Sequence, residues 1–199
     1  MIKAIIFDFD GVIGDTYDIA LSAFRTFDPK LTEEQFKNLF NGNLYKKIGT
    51  VIQPAELPLL FERIREKTTK EHIFPLRKVL EELNKKYRLF IISSTADENI
   101  HHHLTLCDMG QFFEKIFGAT AHTSKLEKFK TIFRDFELSP LECLFVTDTI
   151  WDIRETKALD IKTIAVTWGY HAEASLLQEH PFAIVHDADE LWKVISDSK

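Results

Sequence analysis

Four short apolar runs constrain the fold more than any other feature of this sequence: Ile2 to Phe7, Leu89 to Ile92, Cys143 to Val146 and Thr163 to Val166. Each is nearly continuous rather than alternating, as expected of strands covered on both faces of a parallel sheet. A fifth run, Phe182 to Val185, follows Pro181, and a proline there favours a sheet edge. Between the runs, Leu76, Val79, Leu80, Leu83 and Tyr87 recur at helical spacing, as do Phe129, Ile132, Phe133 and Phe136. Strands alternating with amphipathic helices predict an α/β fold: a three-layer, Rossmann-like parallel sheet with right-handed crossovers. Ligands of such a sheet sit beyond the carboxyl ends of its strands.

The alternation breaks between residues 16 and 74, where no run reads as a strand. Thr32 and Gln35 stand at capping-box spacing. Pro54 and Pro58 punctuate a later helix in which Leu57, Leu60, Phe61 and Ile64 share a face. This block predicts a small α-helical cap subdomain, 16–74, inserted into a core formed by 1–15 and 75–199. A chain of 199 residues, 45% of them hydrophobic, is long enough for both.

Composition narrows the partners. A net charge of −6 argues against sequence-independent binding to nucleic acid or to an anionic membrane, but a locally positive site can still take a small anion. No apolar stretch is long enough to span a bilayer, and the N-terminus lacks a secretory pattern. Cys107 and Cys143 have no CxxC spacing and read as small apolar residues. The expectation is a cytoplasmic, soluble protein, monomeric or homodimeric.

The chemistry lies at the strand ends. The first run ends in Asp8-Phe9-Asp10-Gly11, the second in Ser93-Ser94-Thr95, and the third in Thr147-Asp148-Thr149-Ile150-Trp151-Asp152, with Lys125 just before a predicted helix. In a parallel sheet these groups can converge at one edge. Four carboxylates together repel unless a cation sits among them. An all-oxygen donor set favours a hard ion, and Mg²⁺ held by a few carboxylates plus a substrate phosphate suits it best. A carboxylate can attack phosphorus to form an aspartyl-phosphate while a second acid protonates the leaving oxygen.

These residues resemble the haloacid dehalogenase superfamily, in a phosphoglycolate-phosphatase-like branch with a helical cap after the first motif. Asp8-Phe9-Asp10-Gly11-Val12 is similar to the DxDG(T/V) signature, and Asp15-Thr16 to the Asp-Ser/Thr that often follows it. Ser93 fits the hydroxyl motif, Lys125 the lysine motif, and Asp148 with Asp152 the acidic DxxxD pair. The resemblance implies Asp8 as nucleophile and Mg²⁺ ligand, and Asp10 as general acid/base with its carbonyl on the metal. It implies Asp148 and Asp152 holding the metal directly or through water, and Ser93, Lys125, Gly11 and Ser94 around the phosphate of a small phosphorylated substrate. Thr147 replaces a common glycine, Ser94 a common asparagine, and no proline follows Lys125; Lys128 is the alternative lysine.

Plainer readings stand beside these. Acids after a strand can form a solvated turn, and Ser93, Ser94 or Thr95 can cap the next helix. Asp15 reads as a cap or hinge residue. His101 to His103 point about 100° apart on a helix, which disfavours a chelate and favours an exposed face. Trp168 to His171 is either a packed turn or part of the site. Asn41-Gly42-Asn43 with Lys46 and Lys47 is either a solvated turn or a loop bringing hydrogen-bonding and cationic groups over the site. Rival functions are a β-phosphoglucomutase-like phosphotransferase, a dehalogenase, which has no need of Asp10 and the acidic pair, and a non-catalytic binding or regulatory module.

Overall fold

A computed structural model of the protein describes residues 1–121 and 124–198. In chain order the elements are β1 (Ala4–Phe7), α1 (Tyr17–Phe24), α2 (Glu33–Leu39), the one-turn α3 (Leu44–Lys47), α4 (Leu57–Lys67), α5 (Arg77–Asn84) and β2 (Arg88–Ile92). Then come α6 (Asp97–Leu106), β3 (Lys115–Phe117), α7 (Lys125–Asp135), β4 (Cys143–Thr147) and α8 (Ile150–Lys157). The chain closes with β5 (Lys162–Val166), α9 (Glu173–Gln178), β6 (Ala183–Val185) and α10 (Ala188–Asp197).

The strands form one parallel sheet in the order β3-β2-β1-β4-β5-β6. Central β1 pairs Ile6 with Phe90 on one side and with Phe145 on the other. Side chains alternate between two buried faces, so both must be covered. Ile5, Phe7, Leu89, Ile91, Leu144 and Val146 pack with residues of α5, α6 and α10. Ala4, Ile6, Phe90, Ile92 and Phe145 pack with Phe129 and Ile132 of α7. Three layers follow, as the apolar runs predict. The run after Pro181 is an edge strand, β6. The opposite edge, β3, has no sequence signature of its own: its three residues begin with an exposed lysine and carry no apolar run.

Helices α1 to α4 lie between β1 and β2 and gather around Phe24, Leu31, Phe36, Ile52 and Leu60, with Tyr170 from the core joining them. Thr32 and Gln35 form the expected capping box of α2. The connections to this helical cap run side by side: Phe74 N–H donates to Ile13 O at 2.9 Å and Asp15 N–H to His72 O at 3.1 Å. The histidine run differs from expectation. His101 is exposed, but His103 is buried, its ring edge-on to Phe9 at 5.4 Å, and burial lowers its pKa.

Candidate active site

Parallel order reverses between β1 and β4, the point where an open α/β sheet leaves a crevice beyond its strand ends. Asp8 follows β1 and Asp148 follows β4, with Asp8 N–H donating to Val146 O at 2.8 Å. Ser93 follows β2, Lys125 opens α7, and Asp152 lies in the first turn of α8, where Thr149 caps the helix. Asp8, Asp10, Ser93, Ser94, Lys125, Asp148 and Asp152 all line one cavity of ≈ 50 Å³.

Lys125 is the charge centre. Its Nζ donates to Asp8 Oδ2 and to Asp152 Oδ2, both at 2.6 Å. Asp152 Oδ2 also accepts from Thr147 Oγ1 at 2.7 Å. Burial would raise the Asp152 pKa, but the charge and hydrogen bond of Lys125 outweigh it and hold the carboxyl below its ordinary value. Asp8 behaves oppositely: burial pushes it well above the usual range against the pull of Lys125, with Asp152 and Asp148 adding to the rise. The alternative lysine, Lys128, stands behind the site. It is 1% exposed, its Nζ donates to Ser93 O at 2.6 Å, and burial followed by repulsion from Lys125 brings its pKa down to about 8.

Asp10 is turned toward hydroxyls. Thr95 Oγ1 donates to its Oδ2 at 2.6 Å, Ser93 Oγ to the same oxygen at 3.3 Å, and Thr16 Oγ1 to Oδ1 at 2.8 Å. Thr95 therefore does not cap α6, whose preceding residue is Ala96. The role of Thr95 escaped sequence reading because a hydroxyl beside Ser93 and Ser94 carries no distinguishing spacing.

Asp148 is fully buried between two glycines. A Cβ on Gly11, whose φ is +73°, would stand 2.0 Å from Asp148 Oδ2, and one on Gly169 would stand 2.4 Å from it. Gly11 N–H donates to Gly14 O at 2.9 Å, and the missing side chain makes room for Asp148. Tyr170 N–H donates to Asp148 Oδ2 at 2.7 Å, while Oδ1 has no hydrogen-bond partner among the described residues. Burial raises the Asp148 pKa to about 7, the Tyr170 N–H opposing and Asp152 adding.

The donor chemistry fits Mg²⁺. Among the described residues no three His, Cys, Asp or Glu side chains stand grouped to hold an ion by themselves. Mg²⁺, however, is ordinarily held by one or two carboxylates with water and substrate phosphate. Asp8 and Asp148 supply such carboxylates, and the unpartnered Asp148 Oδ1 is a buried oxygen that a cation would satisfy. Asp152, already engaged by Lys125 and Thr147, is placed to steady the lysine.

The cap closes the cavity with Phe40, Gly42, Asn43 and Leu44. Tyr45 Oη donates to Ser94 O at 2.8 Å, tying cap to core. Lys46 is exposed, and Lys47 Nζ is spent on the carbonyls of Asn38 and Asn41, so the loop brings hydrogen-bonding groups but not its two cations. The 168–171 segment belongs to the site through Tyr170, whose ring packs against Tyr17, Phe36 and Phe40 and whose Oη lies 3.1 Å from Thr16 Oγ1. His171 Nδ1 instead accepts Ile150 N–H at 3.0 Å.

Known proteins place this geometry in context. The chain is 25% identical over 211 residues to a pyrophosphatase PpaX of Oceanobacillus iheyensis, covering 99% of this chain and 98% of that one. It is 21% identical over 208 residues to a phosphoglycolate phosphatase of Synechococcus elongatus, covering 98% and 97%. The fold is similar to that of a haloacid dehalogenase-like hydrolase from Streptococcus pneumoniae, with a TM-score of 0.81, 24% identity and 98% of both chains covered. No helix among the described residues is long and apolar enough to cross a membrane. The family model for haloacid dehalogenase-like hydrolases matches residues 5–166, and the protein belongs to that family.

Proposed function

We propose that the protein is a Mg²⁺-dependent phosphatase that releases phosphate from a small phosphorylated metabolite through an aspartyl-phosphate on Asp8. The observation that carries this reading is Asp8 on the cavity wall, joined to the Lys125 ammonium at 2.6 Å, with Asp10 two residues on and held by three hydroxyls. The names of the relatives, a pyrophosphatase and a phosphoglycolate phosphatase, support phosphorus as the atom attacked.

In the first step the Asp8 carboxylate bonds to phosphorus, the bond from phosphorus to the leaving oxygen breaks, and Asp10 gives that oxygen its proton. In the second step Asp10 takes a proton from water, the water oxygen bonds to phosphorus, and the bond to Asp8 breaks to return the carboxylate. Lys125 draws negative charge from the transferred group and holds Asp8 in place, while Thr95, Thr16 and Ser93 fix the direction in which Asp10 moves its proton. Mg²⁺, held by Asp8 and Asp148, supplies electrostatic stabilisation of the phosphoryl oxygens. Gly11 and Gly169 keep the Asp148 carboxylate at its depth.

The test is phosphate release from p-nitrophenyl phosphate. Wild-type protein with Mg²⁺ is expected to release it, and a chelator or Asp8→Asn to stop it. Activity that survives both contradicts the proposal. A phosphotransferase would keep the same residues but pass the phosphoryl group to a sugar phosphate, and sustained release of free phosphate separates the two.

A further inference from the structure

We propose that the site selects phosphate esters whose leaving group is uncharged and hydroxyl-bearing, and disfavours leaving groups with a second anionic group, with Glu155 as a determinant of that choice. This selection rests on the phosphatase reading above.

The argument begins with charge. Among the described residues lining the cavity, Asp8, Asp10, Asp148, Asp152 and Glu155 are acids, and Lys125 is the lone cation. Lys125 is already shared between Asp8 and Asp152. A divalent cation and one ammonium fall short of the combined charge of the catalytic acids and the phosphoryl group being transferred, leaving no surplus for another anion. A leaving group ending in carboxylate or phosphate would meet the remaining carboxylates where solvent screening is reduced.

Of the nearby cations that could relieve this, Lys46 is exposed and does not line the cavity, and the others are committed elsewhere. Lys47 serves the carbonyls of Asn38 and Asn41. Arg154 Nη2 turns to Glu179 at 2.5 Å, Lys37 lies over the Tyr17 ring at 5.2 Å, and Lys128 is buried on Ser93 O. What lines the cavity instead is Glu155, one helical turn beyond Trp151 on the same face of α8, together with Phe40, Asn43 and Leu44 of the cap. An acid acceptor set among an amide and apolar walls suits a hydroxyl and repels an anion.

The experiment compares kcat/KM at one Mg²⁺ concentration for p-nitrophenyl phosphate, two neutral-polyol esters (glycerol phosphate and ribose phosphate), pyrophosphate and phosphoglycolate. The better polyol ester is expected to exceed both anionic substrates by on the order of tenfold or more. Glu155→Gln is expected to narrow that ratio, and Glu155→Lys to narrow it further. If p-nitrophenyl phosphate is hydrolysed but pyrophosphate or phosphoglycolate matches or beats the polyol esters, the selection is overturned and the phosphatase reading stands. If the wild-type ratio is as expected but neither Glu155 variant changes it, the assignment to Glu155 is overturned. No hydrolysis of p-nitrophenyl phosphate overturns the phosphatase reading and the selection with it.

Discussion

Lys125 Nζ stands 2.6 Å from Asp8 Oδ2, a buried pair in which the ammonium also reaches Asp152 Oδ2 at the same distance. Removing one member of a buried ion pair strands the charges it neutralised. Lys125→Met is therefore expected to cost about 3–5 kcal/mol of unfolding free energy in denaturant titrations without Mg²⁺. Activity is expected to fall roughly a hundred- to a thousandfold, the scale for losing a preorganised donor to transition-state charge. Lys128→Met, with its ammonium on Ser93 O, is expected to alter stability with a much smaller loss of activity.

Thr95 makes the shortest hydrogen bond to Asp10, 2.6 Å. Thr95→Val keeps the side-chain shape and removes the hydroxyl, so kcat is expected to fall roughly ten- to a hundredfold for substrates whose leaving oxygen needs a proton, from a hydrogen bond to a charged group worth roughly 1.5–3 kcal/mol. Hydrolysis of p-nitrophenyl phosphate, whose leaving group departs as a stable anion, is expected to change less in its first step. An equal loss of kcat for both, measured under single turnover, would assign Thr95 to structure alone.

Tyr170 ties the two parts of the molecule together: its backbone N–H serves Asp148 and its ring packs among Tyr17, Phe36 and Phe40. Tyr170→Ala keeps the backbone bond and empties the aromatic cluster. It is expected to destabilise the protein by about 3 kcal/mol or more, and limited proteolysis is expected to cut first within the helical block.

Burial raises Asp148 to about 7 and pushes Asp8 upward as well. A carboxyl raised in the folded state binds more protons there than in the unfolded chain, so ionising it destabilises the fold. Without Mg²⁺, unfolding free energy is expected to fall as pH rises from about 4 to about 7, the interval between the two pKa values of Asp148. Asp152, held low by Lys125, works the other way, but only as pH falls below the ordinary carboxylate range. Mg²⁺ favours the ionised carboxylates and is expected to remove the fall. Thermal denaturation across pH, with and without the ion, checks both halves of this expectation.

The apolar runs and strand-end motifs were legible because burial on both faces leaves a continuous hydrophobic signature, and because acids, hydroxyls and a lysine recurring together at several strand ends and a helix start exceed what solvated turns and caps require. Ala4 to Phe7 and Cys143 to Thr147 are buried along their whole length. β3 lacks that signature, with Lys115 exposed. Thr16, Thr95 and Tyr170 act through contacts spanning 6, 85 and 22 residues of chain, and no local pattern encodes them. The Gly11 motif was visible but its use was not: the close approach of Asp148 and Tyr170 appears only once β1 and β4 lie side by side. His103 is buried because α6 turns that face toward Phe9, which a run of three identical residues cannot disclose.

The covalent role of Asp8 is tested most directly by acid quench and mass spectrometry of Asp10→Asn after mixing with Mg²⁺ and p-nitrophenyl phosphate. The good leaving group lets the first step proceed without Asp10, while the second step lacks its base and slows. The peptide carrying Asp8 is expected to gain the mass of one phosphoryl group, lost on treatment with hydroxylamine and absent from Asp8→Asn/Asp10→Asn. Release of p-nitrophenol with no added mass on that peptide, or with the phosphoryl group on another residue, would contradict the account.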